Sequence, residues 1–172
     1  MPTYVALLRG INLGSRRRVA MADLRGWVTD LGYADVRTLL QSGNVVFRTS
    51  KKPAAVVRSL EERLATGAGF GIGCVLRTAD ELRAVVAADP LGSVATNPSR
   101  YLVSFQDGPV HWPTVDPAAY EPERFHLAAR EAYFWVPGGT QRSKVLSAFP
   151  ATEKSTVRNW NTVTKLLAMT DA

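Results

Sequence analysis

Three short polar stretches carry most of the chemistry the sequence offers. The first is Arg9-Gly-Ile-Asn12, followed closely by the run Arg16-Arg-Arg18. The second is Gln41-Ser-Gly-Asn44. The third is Pro137-Gly-Gly-Thr-Gln-Arg-Ser-Lys144. Arginine presents a planar fork that meets carboxylate and phosphate in pairs, and lysine adds a compact point charge. Free backbone N–H groups at a helix start also attract an anion. In this reading Arg9 and Arg142 clamp an anion, Lys144 adds charge, and Ser42 and Asn44 orient the ligand. Asn12, Gln41 and Ser143 complete the polar loops. A fourth stretch, Arg158-Asn-Trp-Asn161, supplies Asn159 and Asn161 as hydrogen-bonding support, because asparagine is a poor residue inside a helix. The plain alternative is that the loops are solvated turns, Trp160 is core, and the asparagines are surface groups or links to a neighbouring loop.

Other chemistries find less support. The stretch before Lys144 lacks the glycine a phosphate-binding P-loop needs next to its lysine. His111 and His126 have no metal-ligand spacing to Cys74 or to acidic residues. Ser42 or Ser143 beside Lys144 offers a nucleophile, but no nucleophile elbow surrounds either. There is no dinucleotide fingerprint, and no carboxylate pair stands out. No reaction is named, and neither cofactor nor metal is expected.

The elements that must position these residues follow from periodicity. Thr3 to Leu8 reads as a strand, and Ala20 to Leu31 as a helix with Met21, Leu24, Val28 and Leu31 on one face. Val36 to Leu40 and Val45 to Thr49 are strands about a Gly-Asn turn. Pro53 to Ala65 is a helix starting near a proline, and Gly71 to Leu76 is a fourth strand. The order β-α-β-β-α-β predicts a ferredoxin-like first half, residues 1–77. In that topology the exit of the first strand and the turn between the second and third lie at one end of the sheet. Arg9–Asn12 and Gln41–Asn44 then become neighbours. A sheet-face RNA module would need exposed aromatics on the first and third strands; these strands carry mostly aliphatic residues, so that face should be buried.

Residues 78–172 predict a smaller α+β half packed with the first into one compact protein. A helix begins near Thr78 and stops before Pro90, and 91–100 reads as a linker. Arg100 to Phe105 is a strand, with one helical turn around Ala118 and a hairpin about Arg130-Glu131. Ser143 to Phe149 is a short helix. A final amphipathic helix runs from Thr156 to Met169, with Val157, Trp160, Val163 and Leu167 inward. This half resembles a degenerate copy of the first, but its last helix stands where a strand should.

The bulk numbers set outer limits. The 172 residues are 46% hydrophobic and 21% charged, which describes a globular chain. The net charge of +6 favours anionic partners: a small molecule first, nucleic acid as the alternative. No apolar run approaches the roughly 20 residues of a membrane span, and no secretion signal is evident, so no membrane partner is expected and the cytoplasm is the expected location. The lone Cys74 excludes an intramolecular disulfide.

The stretches YVALLRGINLG, VRTLLQSGNVVF, RSKV and TVRNWNTVTKLL closely resemble, in order, the signatures of a bacterial family known as domain of unknown function 1697. The resemblance implies a small cytoplasmic α+β protein with a ferredoxin-like first half. It implies no established activity, cofactor or catalytic residue. It marks the same residues singled out above, with Gly10, Gly43, Arg158 and Trp160. Ser15 and Arg16 to Arg18 depart from the family pattern, so the arginine run is not marked by it. An enzyme acting on a phosphorylated or carboxylated metabolite, and an adaptor without ligand, remain open beside the binding readings.

Overall fold

The computed structural model describes residues 1–171. The chain divides into two units. The first is Met1–Arg83 together with the C-terminal residues from Leu166, and the second is Ala84–Lys165.

The first unit runs β1 (Thr3–Leu8), α1 (Met21–Asp30), β2 (Ala34–Leu39), β3 (Asn44–Arg48), α2 (Pro53–Ala68), β4 (Cys74–Thr78) and the start of α3 (Ala79–Ala88). β1 is apolar on both faces and takes a central place. It pairs antiparallel with β3 and with β4, and β2 pairs with β3. The sheet order β2-β3-β1-β4 is the ferredoxin-like arrangement the element order predicts. One face of the sheet (Tyr4, Ala6, Leu8, Val45, Phe47, Cys74, Leu76) packs with Leu24 and Val28 of α1 and Val56, Leu60 and Leu64 of α2. Burying each such aliphatic side chain contributes about 1.5–3 kcal/mol. The other face presents Val5, Leu7, Val46 and Val75, each no more than 1% exposed. That face offers RNA no open aromatic platform.

Local signals set the helix ends. Pro53 opens α2, where its missing N–H costs nothing. Thr78 and Glu81 open α3 by a reciprocal pair: Glu81 N–H donates to Thr78 Oγ1 at 3.1 Å, and Thr78 N–H donates to Glu81 Oε1 at 2.9 Å.

The second unit holds the end of α3, β5 (Tyr101–Gln106), β6 (Arg124–Leu127), β7 (Glu131–Trp135), α4 (Lys144–Ala148), β8 (Ser155–Asn159) and the start of α5 (Trp160–Thr170). β5 is central, and the order is β6-β7-β5-β8, again antiparallel. Leu102, Phe134, Val136, Val145 and Phe149 form its helix-side core.

β8 corrects the sequence reading, which places residues 156–159 in the last helix. They pair instead with β5, Asn159 opposite Leu102 and Ser155 opposite Gln106. Helical spacing through Val157 and Trp160 misled, because β-branched Thr156 and Val157 also suit a strand and the pairing partner is some 50 residues away in sequence. Ser155 and Thr156 are buried strand residues.

With β8 in place, the second unit repeats the first strand for strand. Register fixes the equivalences: Tyr4 faces Thr78 before α3, as Leu102 faces Asn159 before α5. Ala6 then corresponds to Ser104, and Leu8 to Gln106. Two elements differ: α4 has five residues where α2 has sixteen, and the second difference is larger. The ten-residue α1 has no full counterpart, and the connection between β5 and β6 is a proline-rich strap with a single 3-10 turn at Pro117–Tyr120.

Candidate functional site

The ten candidate residues fall into two sets, one in each unit. In the first unit, three loops converge at one end of the sheet. Leu8 N–H donates to Gly43 O and Arg9 N–H to Gly73 O, both at 2.9 Å. Asn12 Nδ2 donates to Gln41 O at 2.7 Å. The predicted meeting of Arg9–Asn12 with Gln41–Asn44 therefore occurs, and the loop before β4 joins them.

Within this cluster the asparagines hold the backbone. The Asn12 amide closes the 12–19 loop, donating to Val19 O at 3.0 Å and accepting from Val19 N at 2.8 Å. Asn44 is fully buried and donates to Leu39 O at 2.7 Å and Ser42 Oγ at 3.0 Å. Gly43, at φ +86°, completes the turn; a Cβ there would lie 2.7 Å from Ile11 Cδ1. What remains outward is Gln41, Ser42 and the arginines.

Arg17 sits in the left-handed region at φ +52°, a conformation costing about 1–2 kcal/mol for a residue with a Cβ. Its guanidinium donates to Gly10 O and Gly71 O and lies 4.6 Å from the centre of the Phe70 ring. Arg18 donates to Gly14 O at 3.1 Å. The Arg9 guanidinium lies beside Gly73, where an added Cβ would approach its Nε to 3.1 Å. No Asp or Glu occurs in 9–20, 40–43 or 69–73, and no described carboxylate pairs with Arg16, Arg17 or Arg18. The result is a cationic loop cluster with no internal counter-charge in its own segments.

In the second unit, Ser143 caps α4 by accepting from Leu146 N at 3.2 Å. The negative partner that a lysine- and arginine-flanked helix start calls for comes from the chain itself. Glu123 accepts from Ser143 Oγ at 2.6 Å and from Val145 N at 2.9 Å. Arg142, at φ +63°, and Lys144 are exposed beside it and line a cleft of about 360 Å³ with Glu121 and Glu123. Asn159 is the last residue of β8, and its Oδ1 accepts from Thr162 N at 3.0 Å. It is a helix cap, which explains its type without a ligand. Asn161 donates to Ser99 Oγ at 3.2 Å.

The family described as "Protein of unknown function (DUF1697)" matches residues 1–133. The chain belongs to the DUF1697 family. The match covers the three-loop cluster of the first unit and stops before Arg142. Among solved structures, the chain is similar to the conserved bacterial protein SP0830 from Streptococcus pneumoniae. The two are 23% identical over 98% of each chain, with a TM-score of 0.75, so they share a fold over both units. No curated protein matches the chain. In this DUF1697 chain no described helix is long and apolar enough to cross a membrane. Among the described residues, no group of three His, Cys, Asp or Glu could hold a metal ion.

Two features of this DUF1697 chain escaped the sequence reading. The first is the Glu123 cap, whose 20-residue separation from Ser143 leaves no local signal. The second is a pair of buried arginines at equivalent repeat positions, Arg77 opposite Val5 and Arg158 opposite Val103. They are 1% and 8% exposed, and each donates to the carbonyl of the preceding residue at 2.9 Å. Burial lowers the Arg158 pKa to about 10, which still leaves it charged at neutral pH. The aligned segments Val-Leu-Arg-Thr78 and Thr-Val-Arg-Asn159 would have shown this pair, had β8 been recognised.

Proposed function

We propose that this protein binds a phosphate- or carboxylate-bearing small molecule at the three-loop end of its first unit. Arg9, Arg16 and Arg18 face the anion, and Gln41 and Ser42 contribute hydrogen bonds. One observation carries the reading: four arginines stand on loops joined by hydrogen bonds, in segments without any acidic residue. Like charges held together repel, and an anion relieves that repulsion. Arg17 is the strut, fastened to Gly10 and Gly71, and so is not counted among the ligand groups. Asn12 and Asn44 shape the loops rather than touch the ligand, and Arg142 and Lys144 are not needed for this site.

The test is a thermal-shift screen with pyrophosphate, nucleoside phosphates and dicarboxylates. A specific ligand at 100 times its dissociation constant adds about 2.7 kcal/mol of stability. Arg9→Gln and the double change Arg16→Gln/Arg18→Gln should each remove the shift. A shift that survives both assigns the anion elsewhere. Tight binding to mixed-sequence DNA or RNA, weakening steeply with salt, would favour the nucleic-acid alternative.

A further inference from the structure

The repeat exposes a contrast independent of the arginine cluster. On the helix side of the first sheet, Ala6 and Leu8 are buried apolar residues beneath a packed core. The equivalent positions on β5 are Ser104 and Gln106, 6% and 5% exposed. Gln106 Nε2 donates to Ser104 Oγ at 2.8 Å. Above this polar pair lies a cavity of about 220 Å³, room for roughly seven waters at about 30 Å³ each. It exists where the strap and the five-residue α4 replace longer helices of the first unit.

The walls of the cavity are aromatic: Trp112 from the strap, Phe134 from β7 and Phe149 after α4. Trp112 and Phe149 meet edge to face at 6.0 Å, and the Trp112 indole N–H is anchored on Ala128 O at 2.6 Å. Aromatic walls accept a flat ring. A neutral amide and hydroxyl at the floor satisfy a neutral hydrogen-bonding edge, but not a full charge taken out of water. At the mouth, Asp107 and Lys154 are of opposite sign and favour neither anion nor cation.

We infer that this cavity is a binding site for a small, uncharged, planar ring with a hydrogen-bonding edge, of pyridine-carboxamide or pyrimidine type. Ser104 and Gln106 recognise the edge, and Trp112, Phe134 and Phe149 enclose the ring. The volume admits a single ring with one small substituent and excludes a whole nucleotide.

The test uses the full chain, labelled with nitrogen-15, and nicotinamide, cytosine and benzoate as probes. The expected result is a saturable shift of the Trp112 indole and Gln106 side-chain amide signals with nicotinamide or cytosine, and none with benzoate. The indole signal is assigned with Trp112→Phe. The variant Ser104→Ala/Gln106→Leu installs the residues the first unit already uses at these positions. It should weaken ring binding at least about tenfold, the loss of roughly one to two net hydrogen bonds. The inference fails if neither neutral ring perturbs these signals at about 10 mM, where a millimolar site is mostly filled. It fails equally if benzoate binds as well as the neutral rings, or if the double variant binds them unchanged.

Discussion

At the scale of single residues, the polar side chains divide into those that build loops and those that face outward. Asn12, Asn44, Ser143 and Asn159 have the residue types a binding site needs, yet each hydrogen-bonds backbone groups of its own chain, and Asn44 and Ser143 also bond side chains. Their types were legible in the sequence and their employment was not, because an amide suits a turn and a ligand equally well. Gly43 is the sharpest case of a position fixed by geometry. Gly43→Ala places a Cβ in the left-handed region and 2.7 Å from Ile11 Cδ1, and should cost about 2–4 kcal/mol in urea unfolding. Gly14→Ala, also at positive φ but with no atom within 4 Å of the new Cβ, should cost only about 1–2 kcal/mol. Glu123→Gln separates a cap from a ligand group: loss of its charge at α4 should lower stability by about 1 kcal/mol and leave any anion affinity at the arginine cluster untouched, as read by calorimetry.

At the scale of elements, the first unit was readable and the second only in part. Alternating strands and 3.6-residue helices with proline and glycine boundaries sufficed for β1 through α3, because local pattern and tertiary pairing agree there. They diverge at β8. The segment 155–159 has a helical rhythm continuous with α5, and only pairing with β5 makes it a strand. Asn159→Ala tests the boundary. Removing the cap should cost about 1 kcal/mol, while Asn159→Thr, the residue type of Thr78 at the equivalent place, should recover most of it. A ligand-binding asparagine would show no such rescue. The first loop cluster was legible as a juxtaposition because topology alone brings it together, whereas the cavity over Ser104 and Gln106 follows from the absence of a helix, which no motif announces.

At the scale of the whole chain, burial of tyrosine sets a property common to both units. Tyr4, Tyr33, Tyr101 and Tyr133 all have raised pKa values, with desolvation the largest cause, and Tyr133 reaches about 12. The unfolded hydroxyl ionises near 10. Between these values the folded state holds the proton that the unfolded state releases, so the tyrosines' contribution to stability is complete below pH ~10 and is lost as pH rises toward ~12. Chemical denaturation across this range should show that decline, and Tyr133→Phe should flatten it. Arg158, whose pKa burial lowers, acts in the opposite direction but is unchanged by Tyr133→Phe, so it cancels between the native chain and that variant. The division into units has a practical reach of its own. Each unit includes the end of a helix that starts in the other, α3 in one direction and α5 in the other. Arg83 meets Asp171 at 2.8 Å in the first unit, across 88 positions of sequence. A fragment ending at Arg83 would thus sever α3 and lose the end of α5 with Asp171, the partner of Arg83. The two repeats are alike in plan, yet no single cut of the chain yields either one whole, because the first unit is closed by residues that follow the second in sequence.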